Sequence, residues 1–133
     1  LVAEAMLDAV LYARDRYLRP KSGILMPSHG RVVIAPATDP EFWSENIGFW
    51  KNVHGVDMSS LIKLAKEEFL RKPGHTRYIK ADALLATPTP VWLLDLYETK
   101  QEHMEHQRFP FDFTIDKKGT LHCMAAWFDV AFA

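Results

Sequence analysis

The spacing of apolar residues changes along this chain from helical to extended, back to helical, and again to extended, and proline or glycine stands at each change. That order restricts the fold more than any single residue does. Val2, Met6, Leu7, Val10, Leu11 and Leu18 follow helical spacing, with Asp8, Asp15 and Arg16 on the opposite face. They predict an amphipathic helix of about four turns, stopped by Pro20 and Gly23. Residues 23–26 read as a short buried strand directly after it, residues 27–30 as a junction, and residues 31–35 as a β-branched strand.

Thr38-Asp39-Pro40-Glu41 is a helix start, with a capping side chain, Pro at the first position and Glu in the first turn. Phe42, Trp43, Ile47, Phe49 and Trp50 follow, then a loop with Gly55. Asp57 or Ser59 can cap a second helix that runs to about Arg71 and ends at Pro73-Gly74. The rest reads as β. Residues 78–86 and 91–97 are strand candidates, and residues 109–115 alternate well, with Phe109, Phe111, Phe113 and Ile115 on one face. Asp116-Lys117-Lys118-Gly119 reads as a hairpin turn leading into a return strand over residues 121–132. The expected class is α+β, mainly β.

A length of 133 residues is that of one domain. With 48% apolar and 25% charged residues, the disordered and fibrous classes are excluded. Sixteen basic against seventeen acidic side chains leave a net charge of −1, so nothing points to nucleic acid or an anionic membrane as a direct partner. The single cysteine, Cys123, forbids an internal disulfide and suits a reducing compartment. No apolar run approaches the ~20 residues of a membrane-spanning helix. The chain opens Leu-Val-Ala-Glu-Ala-Met and closes on a strand-like apolar run. Both ends lead us to expect a piece of a larger protein.

Local chemical signals are weak. His103-Met104-Glu105-His106 has metal-like spacing only if helical, and reads instead as a solvated loop, so no metal site is expected. Cys123 lies in a dense apolar strand and reads as a packing residue rather than a nucleophile. There is no Gly-rich phosphate loop and no Gly-x-Ser-x-Gly. Trp43, Phe49 and Trp50 offer more aromatic surface than a small solitary helix can use, which leaves core packing or a protein–protein contact. Glu4, taken alone, is no more than an acidic residue near a helix N-terminus.

Read together, three blocks change this reading. They are Glu4-Ala5-Met6-Leu7-Asp8 with Tyr12-Ala13-Arg14-Asp15-Arg16-Tyr17, then Gly23-Ile24-Leu25-Met26-Pro27, then Phe49-Trp50-Lys51-Asn52-Val53-His54-Gly55-Val56-Asp57-Met58-Ser59. In this order they resemble the protein arginine N-methyltransferases. The likeness continues through Leu121-His122 and Ala126-Trp127-Phe128-Asp129-Val130, which look like the family's barrel hairpin. The pattern is more similar to the type I enzymes, which make asymmetric dimethylarginine.

That resemblance implies a division of the chain. Residues 1–27 would be the C-terminal end of a Rossmann-like methyltransferase domain, with Pro27 the junction. Residues 28–133 would be an antiparallel β-barrel substrate-binding domain, with a helical dimerisation arm inserted at about residues 38–72. Phe49, Trp50, Asn52, Val53, Gly55, Asp57 and Met58 would belong to the arm, which implies a homodimer. Glu4 maps onto the second glutamate of the family's double-glutamate loop and would be catalytic. Arginine is always protonated, and its planar fork suits paired carboxylates that orient it. Met6 would pack beside substrate and cofactor. The cofactor would be S-adenosylmethionine, held mainly by residues outside this chain, so the isolated fragment would be inactive. Its substrates would be proteins with arginine, including Arg-Gly-rich RNA-associated ones, in the cytoplasm and also the nucleus. Ala3, Ala5, His54 and Val56 depart from the family's usual residues. The alternative is a non-catalytic paralogue acting as a scaffolding and dimerisation partner.

Overall fold

The computed structural model describes residues 6–72, 74–104 and 107–132. Helix α1 spans Met6–Tyr17. Leu7 and Leu11 are buried and Val10, Arg14 and Leu18 half-buried, so one face carries every inward contact. Residues 23–26 do not form the expected strand. Ile24 and Met26 are 68% and 70% exposed. A strand needs a ladder partner, and among the described residues none pairs with this segment. The Met26–Pro27 peptide is cis.

Strand β1 (His29–Ala37) is the centre of a three-stranded sheet, flanked by β2 (Thr89–Asp95) and β3 (Cys123–Ala131) in the order β2-β1-β3. β1 and β2 run antiparallel, from His29 opposite Asp95 to Ile34 opposite Thr89, with an irregularity between Val32 and Val33. Pro90 lies at that irregularity, where its lack of an N–H is tolerated. Hydrogen bonds Ser28 N–H to Ala131 O (2.9 Å) and His122 N–H to Ala37 O (3.0 Å) mark the two ends of the β1–β3 pairing, which is therefore also antiparallel.

Two expectations of pairing fail here. Residues 109–115 form no ladder, and β3 takes β1 as its partner instead. Phe109 and Phe113 are half-buried while Phe111 and Ile115 are exposed, so the alternating face is only partly covered. Residues 78–86 form no strand either. They carry a 3-10 turn at Ala81–Ala83 and a single bridge from Leu84 to Ala37.

Contacts divide the chain into two compact units. In the first (residues 1–35, 88–114 and 126–133), Leu7 and Leu11 of α1 pack with Leu94 and Leu96, and Leu25, Trp92 and Met104 lie against them. Burying each such leucine contributes about 1.5–3 kcal/mol. In the second (residues 36–87 and 115–125), helix α2 (Pro40–Asn46), a 3-10 turn (Gly48–Lys51), a second (Ser59–Leu61) and helix α3 (Ile62–Arg71) form the helical insert. Ala37, Ile47, Leu85 and Ala86 are its buried apolar residues. Among the described residues no helix is long and apolar enough to cross a membrane.

Candidate functional site: the helical insert and the start of α1

The start of α2 follows its sequence signal. Asp39 is the N-cap, Pro40 the first helical residue, and Asp39 Oδ1 accepts from Phe42 N–H at 3.0 Å. The other carboxylate oxygen, Oδ2, pairs with Arg77 Nε at 2.9 Å, and Asp39 keeps only 11% of its side chain exposed. The Arg77 guanidinium lies over the Phe42 ring, 4.3 Å from its centroid, and reaches Glu45 at 3.6 Å. Asp39 N–H donates to His122 Nδ1 at 3.1 Å, and Thr38 Oγ1 lies 3.0 Å from the same nitrogen. A backbone N–H can only donate, so His122 Nδ1 is the acceptor here.

An aromatic cluster joins α2 to α3. Phe42 and Trp43 meet Phe69 at 5.4 and 6.2 Å between centroids, and Phe69 stacks on His75 at 5.0 Å. Trp43 also meets His122 at 6.0 Å, with Lys66 Nζ 5.4 Å above its ring. Part of the aromatic surplus is therefore used in half-buried ring contacts between α2 and α3. The rest faces outward: Phe49 is 45% exposed beside a half-buried Trp50, 5.5 Å away edge to face.

Residues 52–58 make a tight turn. Val53 and Val56 exchange both backbone hydrogen bonds, at 2.8 and 3.0 Å. His54 and Gly55 between them both have positive φ, 51° and 92°. This is the two-residue hairpin geometry that favours Gly at the second position. Asn52 Oδ1 accepts from Gly55 N–H at 2.7 Å, and Asp57 Oδ1 from Ser59 N–H at 2.8 Å. Bonds from Ser59 hold the exposed Asp57 carboxyl below its ordinary value. Neither capping candidate caps a helix: Met58 precedes the 3-10 turn and Leu61 precedes α3, both without a side-chain cap bond, and Asp57 bonds Ser59 N–H inside the loop instead. Met58 N–H closes the loop on Trp50 O at 3.0 Å. The seven residues expected in the arm thus form one continuous surface element built by local bonds.

Glu4 lies outside the described residues. Met6, in the first turn of α1, is 45% exposed. Cys123 is half-buried rather than buried, and burial pushes its thiol up. Glu105 and His106 also lie outside the described residues, and among those described no three His, Cys, Asp or Glu side chains stand close enough to hold a metal. On the sheet, His29, Arg31, Leu93, Asp95, Asp129 and Val130 surround an open hollow of about 560 Å³, with Arg31 bonded to Asp129 at 2.8 Å. Sequence reasoning did not find Arg14, Arg77 or His122. Their long-range partners lie 32 or more residues away in the chain, so no local spacing could flag them.

The helical insert and the strands on either side of it all fall within residues 28–133, which match the family model described as the arginine methyltransferase oligomerization subdomain. Over its whole length the chain is 35% identical to the "Probable protein arginine N-methyltransferase 6" of Arabidopsis thaliana, covering 30% of that protein. It is also 35% identical to protein arginine N-methyltransferase 1 of Schizosaccharomyces pombe, covering 37% of it. The chain thus spans about a third of the length of these curated relatives. Among solved structures, the Trypanosoma brucei PRMT1 enzyme–prozyme heterotetrameric complex with AdoHcy superposes with a TM-score of 0.72. The identity there is 23%, and the match covers 99% of this chain and 40% of that one, a likeness of fold. A subdomain matched over four-fifths of the chain, with relatives aligned end to end along it, has one reading: the chain belongs to the protein arginine N-methyltransferase family and carries its oligomerization subdomain.

Proposed function

We propose that this chain is part of an enzyme that transfers methyl groups from S-adenosylmethionine to arginine side chains of proteins, as a type I enzyme making asymmetric dimethylarginine. The observation that carries the proposal is the family match over residues 28–133, joined to the Glu4–Met6 block just upstream. In this reading residues 1–27 close the Rossmann-like methyltransferase domain. Residues 28–133 form the β-barrel domain, with the arm at about residues 38–72.

Glu4 is the catalytic carboxylate. It accepts hydrogen bonds from the guanidinium and holds positive charge on one side, leaving the other terminal nitrogen free to be methylated. Alignment supplies most of the acceleration in such a transfer. Met6 limits the room beside the accepting nitrogen. The cofactor supplies an electrophilic methyl group. Among the described residues no Gly-rich loop and no set of carboxylates suits its ribose and adenine, so residues outside this chain would hold it.

The arm, with Phe49, Trp50, Asn52, Val53, Gly55, Asp57 and Met58, docks on a second subunit. Three features support this: the match to an oligomerization subdomain, the heterotetrameric neighbour, and the aromatic surface left exposed at Phe49. Arginine-bearing proteins of the cytoplasm and nucleus, Arg-Gly-rich ones included, are the substrates in this reading.

The test is methyl transfer from labelled S-adenosylmethionine to an Arg-Gly-rich peptide by the full-length protein, with Glu4→Gln beside it. Transfer by the parent and none by the folded variant is expected. A folded parent that transfers nothing yet binds a related subunit would establish the non-catalytic paralogue instead.

A further inference from the structure

We infer that Arg14 is a positioning residue for methyl transfer, pinning helix α1 to the turn that follows β2. The inference rests on the reading of Glu4 and Met6 given above. Met6 lies in the first turn of α1, and Glu4 precedes it by two residues.

Arg14 is a nearly buried cation, with 10% of its side chain exposed. Its Nη1 donates to two backbone carbonyls, Leu96 O at 2.9 Å and Thr99 O at 2.6 Å. Its Nε and Nη2 both reach Asp15 Oδ1, each at 2.7 Å. The planar fork is thereby used on both sides, which a lysine cannot reproduce.

The turn it grips has carbonyls to offer. Its own N–H groups point back to Asp95: Tyr97 N–H to Oδ1 at 2.9 Å, and Thr99 N–H to the backbone oxygen at 2.8 Å. Two more bonds tie the same turn to the chain on either side of Pro27. Leu25 N–H donates to Tyr97 Oη at 2.9 Å, and Leu96 N–H to Ser28 O at 2.9 Å.

Leu7, Leu11 and Arg14 follow one another at four and three residues, on one face of α1. The leucines pack on Leu94 and Leu96. Apolar contact is non-directional and resists sliding weakly. Hydrogen bonds of the kind Arg14 makes are directional, and they fix both rotation and position along the helix axis. The end of α1 that carries Met6 is thus indexed against β2. A displacement of about 1 Å at reacting groups costs up to ~100-fold in rate.

The test uses the full-length protein. Arg14→Met keeps an unbranched apolar stem and removes the donors; Arg14→Lys keeps the charge and restores one bond. Two readouts are taken: kcat and KM for methyl transfer, and hydrogen exchange of the amides of residues 10–14. For Arg14→Met, kcat should fall by at least about tenfold with both KM values within about threefold. Exchange over residues 10–14 should quicken, and Arg14→Lys should fall between. Wild-type kcat in a folded Arg14→Met overturns the inference, as does a fall in kcat without faster exchange in α1. If Arg14→Met does not fold, Arg14→Lys decides on the same criteria. If the parent itself transfers no methyl group, the catalytic reading of Glu4 fails; the exchange data then judge the pin alone, and unchanged exchange overturns it.

Discussion

Replacing Arg77 by methionine should loosen the root of α2 by a factor set by three contacts. The first is the Asp39 ion pair, 2.9 Å long between side chains 30% and 11% exposed. Fully exposed pairs are worth about 0.2–1 kcal/mol, and breaking a fully buried one costs about 3–5 kcal/mol. A pair as enclosed as this one falls between, at about 1.5 kcal/mol. The second is the guanidinium over Phe42, which adds about 0.5–1 kcal/mol. The third, Glu45 at 3.6 Å, is 57% exposed and adds nothing measurable. The total is about 2 kcal/mol, or about thirtyfold in a local opening equilibrium. Native-state hydrogen exchange on the full-length protein reads this directly. The reporting amides are Phe42, bonded to the Asp39 carboxylate, and Trp43, bonded to Asp39 O at 3.1 Å. Protection at both should fall about thirtyfold, while amides in the β1–β2 ladder keep theirs. Arg77→Lys, which keeps the charge and loses the flat stack, should fall about fivefold. A change below about threefold in Arg77→Met would refute the argument that the enclosure of Asp39 strengthens the pair.

Two further outcomes follow from single positions. A Cβ at Gly119 would lie 2.7 Å from Leu85 Cδ2, and Leu85 is 2% exposed, so Gly119→Ala should lower stability by about 1–3 kcal/mol in a denaturant titration; an unchanged midpoint would mean that Leu85 can turn away. Asp57 is held below its ordinary value of 3.8 by its bonds from Ser59. Its folded value is the lower one, so its contribution to the turn is present above pH 3.8 and is lost as pH falls through the lowered value. Carboxyl-carbon NMR of Asp57 should give a midpoint under 3.8, and a midpoint at or above it would contradict the bonding described.

Local structure was legible where the causes are local. Asp39-Pro40 announced α2, the apolar spacing announced α1 and α3, and the β-branched run announced β1. Pairing was not legible, because a strand's partner is chosen by distant residues. Residues 23–26 have the composition of a strand but no neighbour to pair with among the described residues, and residues 109–115 have the alternation of a hairpin arm while β1 takes the place beside β3. The hairpin reading followed sequence proximity through Asp116-Lys117-Lys118-Gly119. The structure spends Asp116 otherwise, on Thr87, whose N–H it accepts at 3.0 Å. Of the arm residues, Phe49 and Trp50 stood out by their aromatic surplus alone, and Asn52, Val53, Gly55, Asp57 and Met58 only as part of a block with a family likeness. Arg14, Arg77 and His122 act across 32 to 85 residues of chain, and a single sequence holds no record of such contacts.

The placement of β1 at the centre of the sheet also orders events in time. The bond from Ser28 to Ala131 O closes a loop of 103 residues. β2 lies closer, with Ile34 facing Thr89. The helical insert, by contrast, is closed by its own neighbours: Asp39 with Phe42, Val53 with Val56, Met58 with Trp50. As the chain leaves the ribosome, the insert can take shape while β1 still lacks both partners, β2 can join next, and β3 can join only after Cys123–Ala131 have emerged. Until then one edge of β1 is open, with a row of N–H and C=O groups still unpaired. A segment closed by its own neighbours can hold its form while the strands that precede and follow it in the chain are still unpaired.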